Sequence, residues 1–119
     1  MGLATSSDGG KTWSKSLSNP VFSAGAALWE GSDVWDTYVL WDEGASLYKM
    51  WYTAGPVGGP HQIGYAISSD GISWTRESAN PALSPDAGWE SGFINSAFVL
   101  NLTGTYYMFY GNWEIGSGI

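Results

Sequence analysis

Three observations predict an all-β chain of two four-stranded β-propeller repeats. A phrase recurs about 60 residues on, seventeen glycines punctuate the sequence, and short apolar runs lie between Gly, Asp, Asn, Ser and Pro with no helical period. Ser6-Ser7-Asp8-Gly9-Gly10-Lys11-Thr12-Trp13 returns as Ser68-Ser69-Asp70-Gly71-Ile72-Ser73-Trp74. Asn19-Pro20 returns as Asn80-Pro81, Trp29-Glu30 as Trp89-Glu90, and Tyr48-Lys49-Met50-Trp51-Tyr52 as Tyr106-Tyr107-Met108-Phe109-Tyr110. The offsets of 62, 61, 60 and 58 leave room only for short loop insertions. Self-similarity at this period marks a repeat architecture, whose units bury their apolar faces against one another.

The strands follow in order. Met1 to Ser6 and Thr12 to Ser16 flank the first Ser-x-Asp turn, and Gln62 to Ser68 and Ser73 to Glu77 flank the second. Aspartate suits such a tip because its carboxylate accepts backbone N–H bonds two residues on, while glycine takes positive φ. Trp35 to Trp41 with Leu47 to Ala54, and Ser96 to Asn101 with Thr105 to Asn112, form the other two hairpins. Runs such as Tyr38-Val39-Leu40-Trp41 are apolar without alternation, which predicts burial on both sheet faces. A propeller blade, sandwiched between neighbours, meets that requirement better than a two-sheet sandwich does.

The chain reads as one domain of two repeats, about 1–60 and 61–119, permuted within the blade: it begins on a third strand and stops before that strand recurs. The second repeat therefore lacks an outer hairpin, and another copy's N-terminal hairpin is the natural donor, closing a ring. Three copies give six blades and are preferred; two give four.

Composition narrows the function. Four Lys plus Arg against eleven Asp plus Glu give a net charge of −7, which repels nucleic-acid phosphates and anionic membranes. No apolar run is long enough to span a bilayer and no signal peptide is seen, so the cytoplasm is the default expectation. With no cysteine, disulfide and thiolate chemistry are excluded. Neutral ligands, cations or proteins are the expected partners, and no cofactor is expected. Asp33, Asp36, Asp42 and Glu43 would have to collect around a channel to hold Ca²⁺; solvated turn acids are the alternative. His61, the single histidine, sits in Gly58-Gly59-Pro60-His61 and reads as a surface turn residue.

Ser6-x-Asp8-x-Gly10-x-Thr12-Trp13 resembles the Asp-box of sialidase-like propellers, a motif that speaks for fold and hardly for function. Taken with Trp-Glu, Asn-Pro and the Tyr-x-Met-aromatic-Tyr strand, the chain resembles the five-bladed propeller glycosidases. These comprise the arabinanase and β-xylosidase group, the invertase and levansucrase group, and the mannoside phosphorylases. In that family an aspartate opens the innermost strand of certain blades, and Asp36 falls in the matching place, with Asn95 and Ser96 in the second repeat. The resemblance thus implies Asp36 as base if the protein is an enzyme; the family's glutamate acid, followed by Gly-Pro, has no counterpart, and Glu30 or Glu90, several residues too early, would have to serve as acid. The family draws three acids from three blades, whereas two repeats offer two environments.

The long loops 17–34 and 78–95 carry aromatic and polar side chains suited to a neutral glycan: Trp29, Asp33, Trp89, Phe93 and Asn95, with Trp35 and Ser96 beside them. A non-catalytic, lectin-like carbohydrate-binding ring is the leading expectation. A glycoside hydrolase or phosphorylase is the alternative, and a self-assembling structural remnant without ligand is the third.

Overall fold

The computed structural model describes residues 1–112. Among them are eight strands and two single-turn 3₁₀ helices. The strands are β1 (Ala4–Thr5), β2 (Ser14–Lys15), β3 (Asp33–Asp42), β4 (Leu47–Gly55), β5 (Gln62–Ser68), β6 (Thr75–Arg76), β7 (Ile94–Leu102) and β8 (Thr105–Asn112). They form three antiparallel sheets: β1-β2, β3-β4-β5-β6 and β7-β8. The number and order of strands agree with the sequence reading, but β1, β2 and β6 are only two residues long. Polar hairpin tips displace ladder pairing there. Ser68 Oγ accepts from Gly71 N at 2.8 Å, and Asp70 Oδ1 accepts from Ile72 N and Ser73 N, each at 2.8 Å. The Asp8 tip is built alike, with Lys11 N and Thr12 N on Oδ1 and the Thr12 hydroxyl on Oδ2 at 2.6 Å. Such donors favour the ionised carboxylate. They bring Asp70 down to about 2 and hold Asp8 well below the usual carboxylate range.

Side chains alternate across β4 and build two cores, one on each sheet face. Met50, Tyr52, Ala54 and Ala66 pack with Phe22, and Trp29 and Trp74 lean on them. On the other face Trp51 and Ile63 pack against Ile94, Ala97 and Val99 of the second repeat. The four-stranded sheet is therefore covered on both sides, as its unbroken apolar runs predict. Glycine has a steric role at Gly64, where an added Cβ would lie 2.4 Å from Tyr52 Cζ and 2.7 Å from the Trp29 ring.

The 3₁₀ turns Leu28–Glu30 and Gly88–Glu90, which the sequence reading missed, fold both glutamates inward. Each glutamate then holds the tyrosine of its repeat's second strand. Tyr52 donates to Glu30 at 2.9 Å and Tyr110 to Glu90 at 2.8 Å.

Candidate functional site

The inner strands β3 and β7 each open on a β-bulge. Pairing with β4 slips between Trp35 and Tyr38, and pairing of β7 with β8 slips between Asn95 and Phe98. The bulged residues are Asp36 (φ 46°) and Ser96 (φ 54°), both non-glycines in the left-handed region. A bulge re-aims the side chain it carries, and backbone held in this region costs free energy that the surrounding fold must sustain. Here the two bulges aim at each other. The Ser96 hydroxyl donates to Asp36 Oδ2 at 2.8 Å, across 60 residues of sequence. Ser96 N donates to the buried Thr53 Oγ1 at 3.2 Å, fixing the second bulge to β4.

Asp36 and Ser96 are exposed, and with Thr37, Tyr38 and Ala97 they line an open cleft of about 210 Å³. Tyr38 walls the cleft, its ring edge-on to Phe98 at 4.9 Å. Among the described residues no cation pairs with Asp36, so its carboxylate can accept hydroxyl protons from solvent or ligand.

Beside the bulges, the loop ending at His61 wedges between the repeats. His61 N donates to Gly92 O at 3.1 Å, and Ile94 N donates to His61 O at 3.2 Å. The imidazole meets Trp35 and Phe93 edge-on at 4.9 and 4.8 Å. At 6% exposure His61 is a buried spacer, which corrects the surface-turn expectation. Burial pushes its pKa down, against a smaller opposing effect of the Pro56 carbonyl. Trp35 is half-buried and borders a second hollow of about 350 Å³ with Asp33 and Val57. Asp33 is exposed and accepts from Ser32 Oγ at 3.1 Å. Phe93 is half-buried, and Asn95, 7% exposed, faces Gly111 from within the fold.

The two expected acids lie elsewhere. Glu30 is fully buried and accepts from Arg76 Nε at 2.7 Å, Arg76 NH2 at 3.1 Å, Tyr52 and Gly25 N. Burial raises its pKa, but Arg76, Gly25 N–H and Tyr52 together outweigh that and leave it lowered. Glu90 is 2% exposed and accepts from Asp86 N at 2.6 Å, Ala87 N at 2.9 Å and Tyr110. Those bonds, that from Ala87 N–H first, also lower its pKa. Neither glutamate borders the cleft of Asp36. Both are held inside the fold by hydrogen bonds that favour the ionised carboxylate, whereas a general acid must be protonated and face the ligand. Trp29 belongs to the core, its ring tilted over Tyr52 at 5.9 Å. Trp89 is 58% exposed, on Tyr110 at 5.6 Å, and likewise does not border the cleft.

Asp42 does not join Asp33 and Asp36. It pairs with Lys49 Nζ at 2.6 Å and accepts from Tyr106 at 3.0 Å, bringing it down to about 2. Among the described residues no three His, Asp or Glu side chains gather as a metal site.

No protein-family model matches the chain. A 1,2-β-oligomannan phosphorylase from Thermoanaerobacter sp. (strain X514) is 31% identical over 90 residues, 69% of this chain and 29% of that protein. A solved structure described as a glycoside hydrolase superposes on 92% of this chain and 30% of its own, with a TM-score of 0.73 and 24% identity. The chain thus has a glycosidase-like, all-β fold and spans less than a third of the length of these relatives.

Proposed function

We propose that residues 1–119 are two blades of a β-propeller related to the five-bladed glycosidases, and that the paired bulges of β3 and β7 bind a neutral glycan. The observation that carries this reading is the exposed Asp36 carboxylate on a strained bulge, oriented by Ser96 at 2.8 Å and free of cations among the described residues. A carboxylate with open acceptor sites takes sugar hydroxyls, and the adjacent Tyr38 and Trp35 offer apolar ring surface. Of the four cations, Lys49 is held by Asp42 and Arg76 by Glu30, while Lys11 and Lys15 lie on the β1-β2 hairpin; a neutral ligand suits the cleft better than an anionic one.

The phosphorylase relative suggests the first ligand to try, β-1,2-linked mannooligosaccharides. Calorimetric titration should show binding, and Asp36→Ala should weaken it by about 10- to 100-fold, as expected for a hydrogen bond to a charged group. Unchanged affinity in that variant, or no binding across a panel of neutral oligosaccharides, overturns the proposal.

A hydrolase or phosphorylase is the second reading, favoured by the names of both relatives. Glycoside hydrolysis ordinarily needs two carboxylates flanking the bond. Glu30 and Glu90 are committed to the fold, so the second group would come from outside these two blades. Sugar release in water or in phosphate buffer, abolished by Asp36→Asn, is the outcome this reading requires.

A further inference from the structure

The hollow beside the Asp36 cleft offers a different surface. Trp35, Pro56 and Val57 line it with apolar groups, Asp33 adds an exposed carboxylate, and His61 borders it at the junction of the two repeats. Hollow and cleft adjoin through the backbone of β3: Trp35 borders the one and its neighbour Asp36 the other. The bulge makes this possible. Pairing with β4 holds at Trp35 opposite Thr53 and resumes only at Tyr38 opposite Trp51, so Asp36 leaves the ladder beside a Trp35 that stays in it.

Two further observations concern the wall. His61 meets the Trp35 ring edge-on at 4.9 Å and 81° and is itself set against Phe93, which fixes the indole in place. Among the described residues, the one buried side-chain polar atom without a hydrogen-bond partner is His61 Nδ1. An unpaired polar atom of this kind costs free energy, and this one belongs to a residue of the hollow. The repeats also differ here. At an offset of 60, Asp33 and Trp35 correspond to Phe93 and Asn95. Phe93 packs on His61 and Asn95 is 7% exposed, so the second repeat uses both positions for packing. The exposed carboxylate and the tryptophan therefore accompany Asp36 rather than the bulge as such.

We infer that the hollow is a second sugar subsite, so that the ligand is a neutral glycan of at least two linked residues: one at Asp36 and Ser96, the next on the Trp35 ring with hydroxyls toward Asp33 and His61 Nδ1. This rests on the glycan reading of the Asp36 cleft and adds the minimum length of the ligand. Carboxylate and imidazole both hydrogen-bond hydroxyls, and the indole face covers apolar C–H surface. An acidic sugar would meet Asp33 and Asp36, neither of which pairs with a cation among the described residues.

Ligand length tests the subsite. Calorimetric titration with mannose and β-1,2-mannobiose, then with xylose and xylobiose, should show one disaccharide binding more tightly than its monosaccharide by about 3- to 10-fold, the contribution of one aromatic platform. Trp35→Ala should bring that ratio close to one, whereas Asp36→Ala should weaken both ligands and keep the ratio. Because Trp35 also packs on His61, Asp33→Ala repeats the test at an exposed position and should lower the ratio too. His61 is the single histidine, so its imidazole nitrogen signals in NMR are unambiguous; the disaccharide should shift Nδ1 and the saturating monosaccharide should not. Asp36-dependent binding with a ratio near one in the unmodified chain, a ratio that survives both Trp35→Ala and Asp33→Ala, or a His61 signal indifferent to the disaccharide overturns the subsite and leaves the glycan reading standing. Absence of binding by every mono- and disaccharide overturns both.

Discussion

Glu30→Gln separates an anchoring carboxylate from a reacting one. Glu30 is fully buried, with Arg76 Nε and NH2 at 2.7 and 3.1 Å and the Tyr52 hydroxyl at 2.9 Å. Removing one partner of a buried ion pair costs about 3–5 kcal/mol, because the other charge is left uncompensated. Two features reduce that here: glutamine keeps the shape and one acceptor, and the Arg76 side chain is 30% exposed, so water screens its stranded charge. A loss of about 2–3 kcal/mol follows. For a chain of this size that lowers the melting temperature by roughly 10–15 °C. Urea titration followed by tryptophan fluorescence, at one fixed protein concentration, reads the change directly. Asp36→Asn is the control. Asp36 is exposed with φ at 46°, a conformation asparagine adopts readily, so stability should change by less than about 0.5 kcal/mol while glycan binding falls. A Glu30→Gln protein of unaltered stability that had lost binding would refute the division of roles.

Gly64→Ala should destabilise by about 1–3 kcal/mol in the same titration, since the new methyl would sit 2.4 Å from Tyr52 Cζ. Ser96→Ala should weaken glycan binding less than Asp36→Ala does, because it removes the orienting hydroxyl at 2.8 Å and leaves the carboxylate in place; calorimetry would show the order. Stability should be level from neutral pH down to about 4 and then fall to about pH 2. Asp42 and Asp70 move from 3.8 when free to about 2 in the folded chain, so their contribution is present above the first value and lost as pH drops through the second. A main loss of stability centred near pH 6, followed by circular dichroism, would contradict that attribution.

The repeat made much of this architecture legible. An offset of 60 residues sets Ser96 beside Asp36 in the alignment of the two halves, and their hydrogen bond spans that interval. The two-residue outer strands and the fate of the acids were not legible. Both depend on side-chain hydrogen bonds: local ones at the Asp8 and Asp70 tips, and one between Glu30 and Arg76 across 46 residues. His61 was misread for a related reason. Its Gly-Gly-Pro setting signals a turn, as the chain indeed forms, but Trp35 and Phe93 close over the imidazole from 26 and 32 residues away. Local composition reports the turn and is silent on what packs against it.

The repeats also show where function is free to vary. Both Trp-Glu turns keep the glutamate–tyrosine bond, both Ser-x-Asp tips an aspartate accepting backbone N–H groups, and both bulges positive φ, while the chemistry at the bulge differs: a carboxylate at Asp36, a hydroxyl at Ser96. Identical acids there would stand within hydrogen-bond range of each other and repel, raising the pKa of one. A carboxylate facing a hydroxyl avoids that conflict and leaves one oriented acceptor per pair of repeats. Placing serine at position 36 and aspartate at 96 should therefore preserve the fold and move the acceptor to the other side of the cleft. Restored glycan affinity in that exchanged variant, after loss in Asp36→Ser alone, would locate recognition in the pair; a variant that folds normally and stays inactive would assign it to the setting of Asp36 on β3.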